Sequence, residues 1–451
     1  MLVFAQMFER GAGTAKPVAR DRLRAALNQP LRGKPALRRE SVTELLDLSS
    51  LGGRWFQSAD GPGYLIESVY EPGHCHGDVA LHRALSIAPG KLAGQIRDPR
   101  LGETSPSAFL YVDTETTGLG GAGSMVFLAG IARFDGSTLR LRQYLLPGPQ
   151  YEGGLLGGLS SELEGAQALV SYNGKSFDVP SLETRYILSR QRSRLRELPH
   201  LDLLHPNRRL FRGVIESHRL PMVERELLGF EREDDCPSAE VPERYFRFQR
   251  SGDPTHIRPV LRHNAWDILS LVALAAHLAS VVEDATAHPL QAARAAEYAG
   301  DHATAARHYA ASLEGPVGRA ERLEALEHAA RCHVRAGEWE AAAERWQALI
   351  DEPRSRRVLP YVELAKLAEH RLADLPRAYT LADEALTLVA RGLIQPGAPG
   401  GELSAEALER RRARLRGRLE AARGRAARQQ AKGESTRRQP RAGGKSREAK
   451  G

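Results

Sequence analysis

Cysteine is scarce in this chain: Cys75, Cys236 and Cys332 are the only three, far apart and odd in number. That argues against a disulfide framework and leaves no thiolate pattern for zinc. Long apolar runs are also missing. No apolar stretch is expected to reach the roughly 18 residues that span a bilayer. The start, Met1 to Ala5 followed by Glu9 and Arg10, lacks the charged-then-apolar order of a signal peptide. The expectation is a cytoplasmic protein without a membrane partner. What is present suffices for ordinary cores: 42% of the 451 residues are hydrophobic, enough for two or three domains.

Positive charge is concentrated at one end. From Ser404 to Gly451, 16 Lys or Arg stand against 5 Glu, a surplus of +11 that leaves the preceding residues at −3 within the net +8. Glu406 to Arg428 is rich in Ala, Leu, Glu and Arg and is expected to be helical. From Gln429 onward the chain is polar and Gly-rich, so residues 404–451 are expected to form a basic, largely disordered tail. Such a tail either neutralises phosphates or acts as a solubilising end.

Residues 1–100 read as an N-terminal extension, with short helical pieces at Arg20 to Asn28 and Ser41 to Leu51 and a strand at Tyr64 to Tyr70. His74-Cys75-His76 invites a metal reading, which is set aside because three neighbours cannot all converge on one ion. Residues 101–283 read as an α/β domain. Strands are expected at 108–113, 125–134 and 138–146, the last two joined by the turn signal Asp135-Gly136, followed by a helix at 157–166 and a strand at 168–172. A helix starting near Asp178 and a fifth strand at 200–205 complete a mixed five-stranded sheet with flanking helices. Residues 206–258 form a mostly helical insertion before a long helix from Pro259 to Val282.

Residues 288–394 repeat. Gly300 to Tyr309 aligns with Gly337 to Trp346, placing Ala305 above Ala342 and Tyr309 above Trp346, and a third copy puts Ala378 in the alanine column. Offsets of 37 and 36 residues lie near the tetratricopeptide period, so an all-α array of tetratricopeptide-like helical repeats is expected. Such arrays bind partners or brace a neighbouring domain.

The chemistry is concentrated in Asp113-Thr-Glu115-Thr-Thr-Gly118, at the end of the apolar run Phe109 to Val112. Side chains two apart on a strand share a face, so two carboxylates stand side by side and need a shared proton or a divalent cation between them. Asp178 follows a strand and opens a helix, whose amino end favours its ionised form. His263 and Asp267, four apart, share a face of the late helix. Four acids and one histidine are thus spread over a strand, a helix start and a late helix.

The Asp-x-Glu-Thr-Thr-Gly, Asn-x3-Phe-Asp and His-x3-Asp boxes, in this order over about 155 residues, resemble the three motifs of the DEDD superfamily, DnaQ-like exonucleases with a ribonuclease H-like fold. His200-Leu-Asp202-Leu-Leu, Arg208-Arg209, Leu227-Leu228-Gly229 and His263-Asn264 followed by repeats resemble the YprB-type branch, a bacterial cytoplasmic group implicated in DNA repair. The resemblance implies a 3′–5′ exonuclease using two divalent ions, Mg²⁺ or Mn²⁺, held by Asp113, Glu115, Asp178 and Asp267, with His263 as general base. It places Thr116, Thr117 and Leu119 around the scissile nucleotide. Asn173 would bond its sugar or nearby backbone, and Lys175 would meet phosphate or point to solvent. In one respect the chain departs from the pattern: its histidine stands at the four-residue spacing of tyrosine-type members rather than the usual five.

Two alternatives accompany this reading. In one the domain is catalytically idle and the repeats and tail link a partner, such as a helicase, to nucleic acid. In the other the same site cuts RNA. DNA is the expected substrate, although sugar selection depends on contacts that a sequence does not locate.

Overall fold

The structure, a computed structural model, describes residues 48–118, 123–353 and 355–437. The helical pieces expected before residue 48, and residues 438–451 of the tail, lie outside the described residues. Strands β1 (Arg54–Ser58), β2 (Gly61–Tyr70), β5 (Phe109–Thr116), β6 (Val126–Asp135), β7 (Thr138–Leu145), β8 (Ala168–Ser171) and β9 (His200–Asp202) form one sheet in the order β1-β2-β7-β6-β5-β8-β9. A small ribbon, β3 (Cys75–His76) with β4 (Val79–Ala80), stands apart. The pairs from β1 to β5 are antiparallel, whereas β5–β8 and β8–β9 are parallel.

The sheet is mixed, as expected, and its five expected strands are extended to seven by β1 and β2. The strand expected at Tyr64 to Tyr70 is β2, but it pairs with β7 and so belongs to this sheet rather than to a separate N-terminal extension, and the unexpected β1 pairs with it. The turn at Asp135-Gly136 does join β6 to β7: Asp135 pairs with Thr138, and Gly136 supplies the left-handed conformation at φ 62°.

Alternation along β5 sorts the core into two layers. Phe109 and Tyr111 pack with α7 (Arg258–Glu283) on one face, while Leu110 and Val112 pack on the other with α2 (Glu152–Glu164) and α3 (Asp178–Leu188). Helix α1 (Pro89–Ile96) joins the α7 layer. The insertion contributes α4 (Leu204–Leu210), α5 (Leu220–Val223) and α6 (Val241–Ser251). Helix α7 corrects the expectation that no apolar segment has spanning length. An 18-residue window reaches a mean hydropathy of 1.8, but 67% of it is buried inside the fold. Polar residues on its site-facing side, Asp267 among them, interrupt the run in the sequence.

Helices α8 (Pro289–Ala299), α9 (His302–Ser312), α10 (Arg319–Ala336), α11 (Trp339–Asp351), α12 (Leu359–His370) and α13 (Leu375–Ala390) pack each on the next. Asp301 and Asp374 start α9 and α13 by accepting from the backbone N–H of Thr304 and Arg377, both at 3.0 Å. One turn on, Ala305, Ala342 and Ala378 are fully buried, and Tyr309 and Trp346 fill the adjoining grooves. Small residues at the contacts let these helices approach closely.

Helix α14 (Ala405–Arg437) runs past the expected limit at Arg428. It is docked by charge: Arg414 and Arg418 both donate to the buried Glu369 of α12, and Arg412 meets Asp383 at 3.1 Å. Part of the basic surplus is therefore neutralised within the fold. Replacing Glu369 with Ala should free α14, so limited trypsin digestion should cut within 405–437 faster while leaving the sheet intact; unchanged digestion would show that apolar contacts hold the helix.

Candidate metal centre

Strand β5 lies between β6 and β8, and the alternation that sends Tyr111 toward α7 places Asp113 and Glu115 on the same side. Helix α7 meets them with Asn264, whose side-chain amide donates to Asp113 Oδ2 at 2.8 Å. Asn264 reaches this far because Gly130, opposite Asp113 on β6, has no side chain. A Cβ there would sit 2.1 Å from Asn264 Oδ1. That oxygen also accepts from Gln143 at 2.9 Å, which fixes the amide's orientation. Beyond Glu115 the β5–β6 register shifts, so regular pairing ends where the acids emerge.

Thr114 points the other way. Its N–H and hydroxyl donate to Asp178 Oδ1 at 2.9 and 2.6 Å, binding the first residue of α3 to β5. The loop before Asp178 is held by the buried Asp202 at the end of β9. Asp202 accepts from the N–H groups of Asn173 and Lys175 at 2.7 and 3.1 Å. Asn173 adopts the left-handed conformation at φ 64°, which asparagine tolerates better than most residues. Gly174 leaves room for Ser171 Oγ, 2.3 Å from where a Cβ would stand.

The four acids are brought together, and they repel one another. Burial, reinforced by Asp267, Asp178 and Glu115, holds Asp113 well above the usual carboxylate range. Burial, Asp267 and Asp178 do the same to Glu115. Asp178 is pushed up to about 6, burial outweighing its bonds from Thr114. His263 Nδ1 lies 2.7 Å from Asp235 Oδ1 and 3.2 Å from the Arg232 guanidinium; a carboxylate only accepts, so the shorter contact assigns the ring proton to Nδ1. Nε2 then presents its lone pair to the acids, 3.5 Å from Asp267 Oδ2 and 3.9 Å from Glu115 Oε1. Ligand atoms of Glu115, His263 and Asp267 all lie within 4.8 Å of one another. An oxygen-rich set of mutually repelling acids suits a hard divalent cation.

Sequence reasoning missed Arg232 and Asp235, which come from the insertion. Arg232 donates to Asp267 Oδ1, bonds the fully buried Glu224 at 2.6 and 2.7 Å, and meets Asp235 at 3.1 Å. Glu224 accepts from Ser270, which in turn accepts from His76 Nε2 at 2.7 Å. Burial lowers the pKa of His76 to about 3, so it is neutral, and its Nε2 is engaged with Ser270. The only cue in the sequence was the charged run Glu231 to Asp235, which carries no periodicity.

The expected substrate residues fare unevenly. Thr116 Oγ1 donates to Gly118 O at 2.6 Å and Thr117 Oγ1 accepts from Met125 N at 2.9 Å, so both brace the loop after β5. Lys175 is exposed, and Leu119 lies outside the described residues.

A family model for the RNase H superfamily matches residues 110–279, the span from β5 to near the end of α7. The uncharacterized protein YprB of Bacillus subtilis (strain 168) is 34% identical over 291 residues, covering 61% of this chain and 68% of the relative. The chain belongs to the YprB family of ribonuclease H-like proteins. That membership supports a nuclease-type function, nucleic acid as the class of partner and divalent metal as the usual cofactor of such domains.

Two outcomes follow from the electrostatics. Asp178 binds its proton more tightly folded than unfolded, so its contribution to metal-free stability falls as pH rises from its ordinary 3.8 through about 6. A divalent cation binds the ionised acids. The rise in Tm caused by Mn²⁺ should therefore grow between about pH 5 and about pH 7, and a Tm indifferent to Mn²⁺ at both would contradict the cluster's role. Arg232→Met leaves Glu224 buried without its cation and should cost about 3–5 kcal/mol in denaturant unfolding; a loss below about 1 kcal/mol, the scale of a surface pair, would contradict the buried-pair account.

Proposed function

We propose that this protein is a metal-dependent 3′–5′ exonuclease that hydrolyses terminal phosphodiester bonds of DNA in the cytoplasm, with a role in repair. The observation that carries the reading is the convergence of Asp113, Glu115, Asp178 and Asp267, from three separate elements, beside the free Nε2 of His263. The order of the three motifs supports exonuclease chemistry, and the relationship to YprB supports the family assignment.

In this reading the four acids hold two Mg²⁺ or Mn²⁺ ions, which when bound supply positive charge against the phosphodiester oxygens and acidify water. His263 Nε2 accepts the proton of the attacking water. Asp235, bonded to Nδ1–H, orients the ring and stabilises the imidazolium that results. Asn264 keeps Asp113 turned toward the site. As the new P–O bond forms, the bond from phosphorus to the 3′ oxygen breaks. The products are a nucleoside 5′-monophosphate and a strand ending in a 3′ hydroxyl.

Purified protein with Mn²⁺ should shorten a 5′-labelled DNA strand stepwise from its 3′ end. Asp178→Ala should abolish this, and His263→Gln should lower kcat by about 10²–10⁴. Undiminished hydrolysis by the Asp178→Ala chain would remove the proposed centre, and faster digestion of a matched RNA strand would replace the DNA reading. The helical array and α14 are proposed to hold a protein partner, such as a helicase, beside this site. Co-purification should then survive Asp113→Ala and be lost on removing residues 290–451; retention after that truncation would place the partner elsewhere.

A further inference from the structure

A second charged site lies away from the acids, where the helical array meets the sheet-bearing part of the chain. It is a cleft of about 280 Å³. Its walls come from Arg97, just past α1, from the end of α4, and from α8, α9 and α10. The guanidinium carbons of Arg97 and Arg209 both lie over the ring of Tyr298, at 4.3 and 3.2 Å from its centroid. Neither pairs with a carboxylate among the described residues. Arg209, half-buried, donates only to Gln95, at 2.9 Å to the side-chain oxygen and 3.4 Å to the backbone. Several buried or half-buried arginines elsewhere are matched to acids: Arg142 to Glu67 and Glu162, Arg232 to Glu224, Arg294 to Glu324.

Three more arginines complete the wall. Arg212 and Arg294 share Glu324, at 2.9 and 2.8 Å, and Arg335 stands 3.9 Å from Glu297, which is also bonded to His328 at 2.8 Å. Five guanidinium groups therefore face two carboxylates. Burial, with Arg97 adding to it, lowers the pKa of Arg209 despite the tyrosine nearby. Two uncompensated like charges over one ring are held at a cost that an anion would relieve. Guanidinium forks match phosphate oxygens bidentately. Both guanidinium groups already stand against the Tyr298 ring, so the cleft offers charge for a phosphate more than a bare ring for a base. The cleft is open to solvent, and its volume of about 280 Å³ has room for a phosphate and its sugar.

We propose that this cleft is an accessory site for a phosphate monoester dianion, carried by a free nucleoside monophosphate or by the 5′-phosphorylated end of a strand, with Arg97 and Arg209 as its principal ligands. The proposal does not rest on the hydrolytic reading, because the acids take no part in it. The test uses the full chain in EDTA, so that no hydrolysis occurs, and measures binding of 5′-phosphorylated and 5′-hydroxyl DNA of one sequence, and of AMP and adenosine. The phosphorylated member of at least one pair should bind about tenfold more tightly than its partner. A gain confined to AMP identifies a nucleotide site; a gain shared by the strand, and competed by AMP, identifies a strand-end site. Arg97→Gln with Arg209→Gln should erase the gain, and the corresponding double lysine variant should retain part of it. The ligand-free glutamine variant should melt no lower than the parent, since it removes a repulsion. Equal binding within both pairs, or a gain that survives the glutamine variant, would overturn the assignment.

Discussion

Mutual repulsion among four partly or fully buried carboxylates is the constraint on which the rest of this structure depends. Burial, with Asp267 and Asp178 close by, raises the proton affinity of Asp113 and Glu115, and an arrangement of that kind persists only if the surrounding fold over-determines it. The bracing is visible on every side. Thr114 ties Asp178 to β5, Asp202 ties down the loop before it, and Asn264 turns Asp113 through a gap that Gly130 leaves open. Arg232 supplies one permanent cation to Asp267 and is itself anchored by the buried Glu224.

This layout ties fold and chemistry together. The edge of the acid cluster coincides with the end of regular β5–β6 pairing; β8, parallel to β5, leads into the loop before Asp178, and β9, parallel to β8, ends in Asp202. The long helix α7 is largely apolar where it covers the sheet and brings His263, Asn264 and Asp267 to Asp113 and Glu115. The same α7 side of the sheet leads through α1 and α8 to the arginine cleft. Negative and positive charge are thus kept in separate places, each with its own uncompensated residue pair.

Much of this was legible in the sequence where local periodicity carries information. The two-residue spacing of Asp113 and Glu115 fixed a shared face on β5, the four-residue spacing of His263 and Asp267 fixed a shared face on α7, and Asp135-Gly136 marked the hairpin. The alanine columns at Ala305, Ala342 and Ala378 marked buried helix contacts. Residues whose role depends on long-range closure were not legible. Arg232 and Asp235 sit in a charged loop without periodicity and reach the site only because the insertion folds back over α7. Strand β1 and the start of β2 were obscured by glycine and proline. Thr116 and Asn173, expected to touch substrate, are placed by backbone needs that only three-dimensional structure displays.

The central claim is that the acid cluster is a divalent-metal site, and anomalous diffraction from crystals grown with Mn²⁺ tests it most directly. Peaks among the carboxylates of Asp113, Glu115, Asp178 and Asp267 are predicted. A map with no anomalous density there, and with Arg232 still bonded across Asp267, would contradict it.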